Sequence, residues 1–176
     1  MILRALALTV LLASGASAQV REEPTAVSPV TVMPPTLPPK VVATYPAQGE
    51  TIAPGVLIVK VAFDQQMNPR AWNYGAAPDG EQPECVKTPR LLNDQKTFVL
   101  LCRVLSNRTY KVALNAERAG GFANLGDNPA EPMVLTFQVV RGEPVTSMAR
   151  ALKAAGLRSE DEPIEEAPKP PARPAL

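Results

Sequence analysis

At 176 residues, with 45% hydrophobic and 20% charged positions, the chain has room for one globular domain and its flanks, and a formal net charge of +1 leaves no basic excess to attract nucleic acid or anionic lipid. Histidine is absent, which removes the commonest general base and metal ligand, and no nucleophile elbow, phosphate-cradling glycine loop or zinc signature stands in its place. These features predict a non-enzymatic protein that carries no cofactor and binds no nucleic acid.

The first element is an export signal. Met1 to Ala18 reads one basic residue, Arg4, an apolar run from Ala5 to Ala13, and small residues closing as Ala16-Ser17-Ala18. The run is about half of the ~20 residues a membrane-spanning helix needs, so cleavage before Gln19 is expected, with no membrane insertion afterwards. No cysteine stands near the junction, which argues against a lipid anchor. The mature protein is predicted to be periplasmic or secreted.

Residues 19–39 hold much of the proline and no sustained apolar period, the pattern of a polyproline II spacer. From 40 to 141 the texture changes. Short runs rich in Val, Leu, Ile, Thr and aromatics alternate with Gly, Pro, Asn and Asp, giving roughly seven candidate strands and no helical period long enough for parallel βαβ units. The expected fold is all-β, an immunoglobulin-like antiparallel β-sandwich. In Val56–Phe63 the alternation places Leu57, Val59, Val61 and Phe63 on a core face and Ile58, Lys60 and Ala62 on the other. Tyr110, Val112 and Leu114 share a face in the same way, as do Met133, Leu135, Phe137 and Val139.

Cys85 and Cys102 lie in neighbouring candidate strands linked through the turn Leu92-Asn93-Asp94-Gln95, in a chain addressed to an oxidising compartment. A disulfide is the expectation, contributing roughly 3 kcal/mol by closing the loop between them. Met67 and Trp72 bracket a proline turn and should cap one end of the sandwich, with Trp72 as a ligand platform the functional alternative. Residues Gly75 to Pro83 read as a loop. The carboxylates Asp79, Glu81, Glu84 and Asp127 lie in loops without the dense alternation of a calcium site, so no metal ligand is assigned.

Beyond the sandwich, Ser147 can cap a short helix with Met148, Leu152 and Ala155 on one face and Gly156 at its end, within residues 142–157. At about nine residues it is marginal alone. Residues 158–176, acidic and then proline-rich, are expected to be disordered. On this division the segment 40–141 should be self-sufficient.

Four strings in order carry a family resemblance. Tyr45-Pro46-Ala47-Gln48-Gly49 leads to Val61-Ala62-Phe63-Asp64-Gln65-Gln66-Met67-Asn68-Pro69; Asp94-Gln95-Lys96-Thr97-Phe98 follows; then Leu105-Ser106-Asn107-Arg108-Thr109-Tyr110; then Phe122 to Phe137 with Gly126-Asp127-Asn128-Pro129 inside it. Together they resemble the bacterial immunoglobulin-like domains of the surface-layer-protein (SbsA) type, across residues 41–140. The resemblance implies a sandwich with a structural or protein-interaction role in the cell envelope. Its partner would be an envelope protein or polymer, met either at the loops around Trp72 and Asp79 or at the apolar anchors Met148 and Leu152. Among sandwich folds, Tyr110 is placed to act as a tyrosine corner. A second reading, a periplasmic metal-handling sandwich similar to copper-resistance chaperones or one binding calcium, lacks the histidine and clustered methionine such copper sites use.

Overall fold

The structure, a computed structural model, describes residues 37–115 and 121–161. The export signal, most of the proline-rich spacer and residues 162–176 lie outside the described residues. The strands in chain order are β1 (Val41–Tyr45), β2 (Thr51–Ile52), β3 (Gly55–Phe63), β4 (Tyr74–Ala76), β5 (Glu84–Cys85), β6 (Arg90–Leu91), β7 (Thr97–Val104), β8 (Arg108–Leu114) and β9 (Met133–Val139). They form two sheets. One runs β1-β3-β7-β5, with β6 also on β7; the other runs β2-β9-β8-β4. Every pairing is antiparallel except β2 with β9, which is parallel over two residue pairs.

The expected core faces meet between these sheets. Leu57, Val59, Val61 and Phe63 of β3 and Phe98, Leu100, Cys102 and Val104 of β7 pack against Tyr110, Val112 and Leu114 of β8 and Leu135, Phe137 and Val139 of β9. Each large aliphatic or aromatic side chain removed from water in this way contributes about 1.5–3 kcal/mol, which is why period-2 alternation selects the sandwich. Phe98 and Phe122 meet edge-on at 5.0 Å, and Phe63 joins them at 6.4 and 5.3 Å. The chain is an all-β, immunoglobulin-like sandwich with a short C-terminal helix.

Polar side chains fix the turns that set strand register. In the β6–β7 turn, Asp94 Oδ1 accepts from the backbone N–H groups of Lys96 and Thr97, both at 2.9 Å, and Oδ2 accepts from the Thr97 hydroxyl at 2.6 Å. Burial opposes ionisation of Asp94, but the Thr97 hydroxyl, these two N–H groups and the Lys96 charge outweigh it and hold the carboxyl below its usual range. Tyr110 is the tyrosine corner: its ring is buried and its hydroxyl accepts from Leu105 N–H at 3.0 Å. Asn124, fully buried, accepts from Gly126 and Asn128 N–H through Oδ1 and donates to the Leu37 carbonyl and Gln65 through Nδ2. That contact ties the end of the expected spacer to the domain, and Pro39 is buried beside it.

The C-terminal region departs most from expectation. Helix α1 (Met148–Ala154) begins where predicted, with Ser147 Oγ accepting from Arg150 N–H, and ends at Gly156 with φ +64°. It is not an appendage. Ala151, Leu152 and Ala155 bury against Ile58, Val99 and Leu101, which makes a second apolar layer on the outer face of β3 and β7. The segment leading into it is stitched down as well: Val145 N–H donates to the Pro54 carbonyl at 2.7 Å, and the Val145 carbonyl accepts from Val56 N–H at 2.8 Å. A side chain at Gly55 (φ +110°) would stand 2.2 Å from that carbonyl. The expectation that 40–141 stands alone did not include this contact: the outer face of β3 is apolar at Ile58, and the helix covers it. Residues 158–161, expected within a disordered tail, are folded: Ser159–Asp161 form one turn of 3-10 helix in which the buried Asp161 accepts from Arg158 N–H at 3.0 Å.

Candidate functional site

Cys85 and Cys102 occupy directly opposed positions of β5 and β7 and are joined by a disulfide across 17 positions of sequence, with Cα atoms 3.9 Å apart. The β6–β7 turn lies inside the closed loop, as the spacing suggested. One detail differs: Cys85 sits on β5, so β6 intervenes in sequence before the turn. Glu84–Cys85 would be a weak edge by its two ladder positions alone; the disulfide holds it on β7.

The chain crosses between the sheets just before β5. Gly75 and Ala76, read from sequence as the start of a loop, belong to β4 and pair with Ala113 and Val112. The crossing then runs along β8, where Lys111 N–H donates to the Glu81 carbonyl at 2.9 Å and Arg108 pairs with the Glu81 carboxylate at 3.0 Å. Both partners of that ion pair are about half exposed, so it fixes position more than it stabilises.

This crossing leaves a groove of about 420 Å³ at the open side of the sandwich, between the edge strands β4 and β5. Trp72 and Tyr74 form one wall. Glu84, Cys85, Val86 and Lys87 form the other, with Gln82 and Pro83 from the crossing and Leu100 of β7 behind. Trp72 is half-buried against the core, so the sequence reading of a capping residue and that of a platform describe the same side chain. The Tyr74 ring lies edge-on to Phe122 at 5.0 Å, yet its hydroxyl is closed off from solvent and has no hydrogen-bond partner among the described residues. Burial alone pushes its phenol far above the usual value.

The other sequence candidates fall elsewhere. Asp79 is exposed in the crossing loop and does not line the groove. Leu152 is buried under the sandwich and Met148 packs half-buried beside it, so the two anchors proposed for a partner are occupied within the chain. Of the loop carboxylates, Glu81 is paired with Arg108 and Asp127 accepts from Asn68 Nδ2 at 3.2 Å; among the described residues no three His, Cys, Asp or Glu side chains come together. A second cleft, of about 320 Å³ between the helix end and β3, contains Lys60, Asp94, Arg158 and Asp161. Those groups are engaged internally: Lys60 with the Ala155 carbonyl, Asp94 with Thr97, Arg158 with Asp161.

The sequence singled out Trp72, but it placed Glu84 in a loop, whereas Glu84 belongs to β5 opposite Arg103, and it gave Tyr74 no role. The signal for Tyr74 was the Trp72-x-Tyr74 spacing, which puts both rings on one side of an extended segment. Nothing local showed that β5 would stand opposite.

Fold and groove together define a β-sandwich module with an aromatic cleft at a sheet edge. No family model matches the chain, and no curated protein matches it. Among solved structures it is similar to surface layer protein SbsC, domains 1–6, at 14% identity and a TM-score of 0.41, over 62% of this chain and 15% of that one. The chain thus spans under a sixth of that structure's length.

Proposed function

We propose that the protein is a non-enzymatic, extracytoplasmic interaction module of the bacterial cell envelope, which meets an envelope protein or polymer at the groove between β4 and β5. The observation that carries this reading is the Cys85–Cys102 disulfide at paired positions of β5 and β7, since such bonds persist in oxidising compartments. It agrees with the leader-like sequence of Met1 to Ala18 and the absence of histidine. The groove is favoured as the working surface because it is concave, partly apolar and rimmed by Gln82, Glu84 and Lys87, whereas the helix face is already covered.

Site-specific photo-crosslinking in the producing cells tests it. A photoreactive residue at Gln82 should give a discrete high-mass adduct in the envelope fraction, and one at Val140, which is exposed at the end of β9, should give none. Equal labelling from both positions, or none from Gln82, would count against the groove as the interaction surface.

A further inference from the structure

The groove has a chemistry specific enough to name a ligand class. We infer that it binds an oligosaccharide containing N-acetylated amino sugars, with a pyranose face on Trp72 and an acetamido group directed at Tyr74. This rests on the reading of the chain as an envelope interaction module.

Four observations converge. Trp72 is a partly buried aromatic residue in the groove lining, the residue type on which the apolar C–H face of a sugar ring stacks. Gln82, Glu84 and Lys87 line or rim the same groove and supply both donors and acceptors for sugar hydroxyls. One carboxylate and one ammonium balance, so the groove favours a neutral chain over a polyanion or polycation. The fourth is the Tyr74 hydroxyl, a buried donor without a partner among the described residues. Native proteins rarely leave such a group unmatched, and because Tyr74 is itself one of the groove's lining residues, a ligand acceptor that reaches beneath the groove surface would satisfy it.

An acetamido group fits this last feature better than another hydroxyl would. Its carbonyl accepts from the phenol, while its methyl has apolar surface at Val86 and Leu100. The hydroxyl is covered in the free protein, so Tyr74 must shift outward to donate. β4 has three residues and pairs on one side only, the type of edge element that yields at low cost. The opposite wall does not yield, because Cys85 is tied to Cys102. A peptide added as an extra strand is disfavoured by the same dimensions: β4 and β5 offer three and two residues, too short a ladder for strand addition.

Trp72 is the chain's only tryptophan, so its fluorescence reports the groove directly. The mature full-length protein is titrated with tetra-N-acetylchitotetraose, with cellotetraose and with a polyproline decapeptide. Saturable change of Trp72 emission is expected with the N-acetylated tetramer and not with the other two. By calorimetry, Tyr74→Phe should weaken that binding roughly tenfold, the equivalent of about one hydrogen bond, while its melting temperature stays equal to or above that of the wild type. Glu84→Gln, at an exposed position, should weaken binding with an unchanged melting curve. No saturable response to the tetramer, an equal response to cellotetraose, saturation by the peptide alone, or full affinity in Tyr74→Phe would each overturn the inference. A photo-crosslink at Gln82 that persists in any of those cases would leave the interaction module standing and reject only its ligand.

Discussion

Lys60, in the middle of β3, donates from Nζ to the carbonyl of Ala155 at the C-terminus of α1, a 2.5 Å contact between groups 95 positions apart. It places a cation against the negative end of the helix and satisfies one of its open carbonyls, and the sheet beneath carries Ile58, Val99 and Leu101, all fully buried. The helix is thereby part of the folded unit. Deleting residues 143–176 should uncover that layer and lower the melting temperature by about 10 °C or more, at ~4–8 °C per kcal/mol for a domain near this size. Leu152→Ala alone should cost about 2–4 kcal/mol in denaturant titrations. A deletion that leaves the melting curve unchanged would show that the outer face of β3 and β7 tolerates water.

Removing the cross-strand tie should cost stability without changing the fold. Cys85→Ala with Cys102→Ala releases a loop of 17 positions, and the chain-entropy estimate is about 3 kcal/mol. Chemical denaturation of the double variant, with circular dichroism to confirm the sheet content, checks this. A loss below ~1 kcal/mol would mean that the unfolded chain already holds β5 near β7.

The two buried tyrosine hydroxyls make opposite predictions. Tyr110→Phe strands Leu105 N–H and should destabilise by about 1–2 kcal/mol, whereas Tyr74→Phe removes a hydroxyl with no partner among the described residues and should be neutral or stabilising by up to about 1 kcal/mol. Because burial raises the folded-state value of Tyr74 above that of the unfolded chain, its neutral form is favoured by folding. That contribution is complete below the unfolded value near ~10 and is lost as pH rises beyond it. Stability should therefore fall in alkaline solution, and the fall should be shallower in Tyr74→Phe. Identical alkaline limbs for the two proteins would contradict the assignment.

Gly55 tests the seam between sandwich and helix. With φ +110° and the Val145 carbonyl in the space a side chain would fill, Gly55→Ala should destabilise by more than ~1–2 kcal/mol and loosen the 145–157 segment. Hydrogen exchange at Val56 and Val145 N–H, which bond across this seam, should accelerate before exchange in β8 and β9 does. Uniform acceleration would mean that the seam has no independent stability.

How much was legible in the sequence follows from the ranges over which its signals act. Leu57, Val59, Val61 and Phe63 announced a core face because alternation is a local property, and Tyr110 announced the corner because its partner is only five residues upstream. The cysteine pair could be read because the turn between β6 and β7 is itself local. Alternation also misled. It assigned Ile58 to an outer, solvated face, yet β7 carries Phe98, Val99, Leu100 and Leu101 in succession, all buried, as a strand covered on both sides does. That run, set beside a helix with three apolar positions, was the available sign that α1 docks. The groove had no such sign, because its walls come from edges of different sheets, and pairing across a fold leaves no period in the chain.

The measurement that bears most directly on the account is the intact mass and thiol state of the protein recovered from the envelope fraction of the cells that make it, quenched in acid and alkylated before separation. An extracytoplasmic module stapled at Cys85 and Cys102 should begin at or near Gln19, weigh two hydrogens less than the reduced chain and take up no alkylating reagent until it is reduced. Recovery from the cytoplasmic fraction with Met1 to Ala18 retained and both thiols alkylated would contradict it.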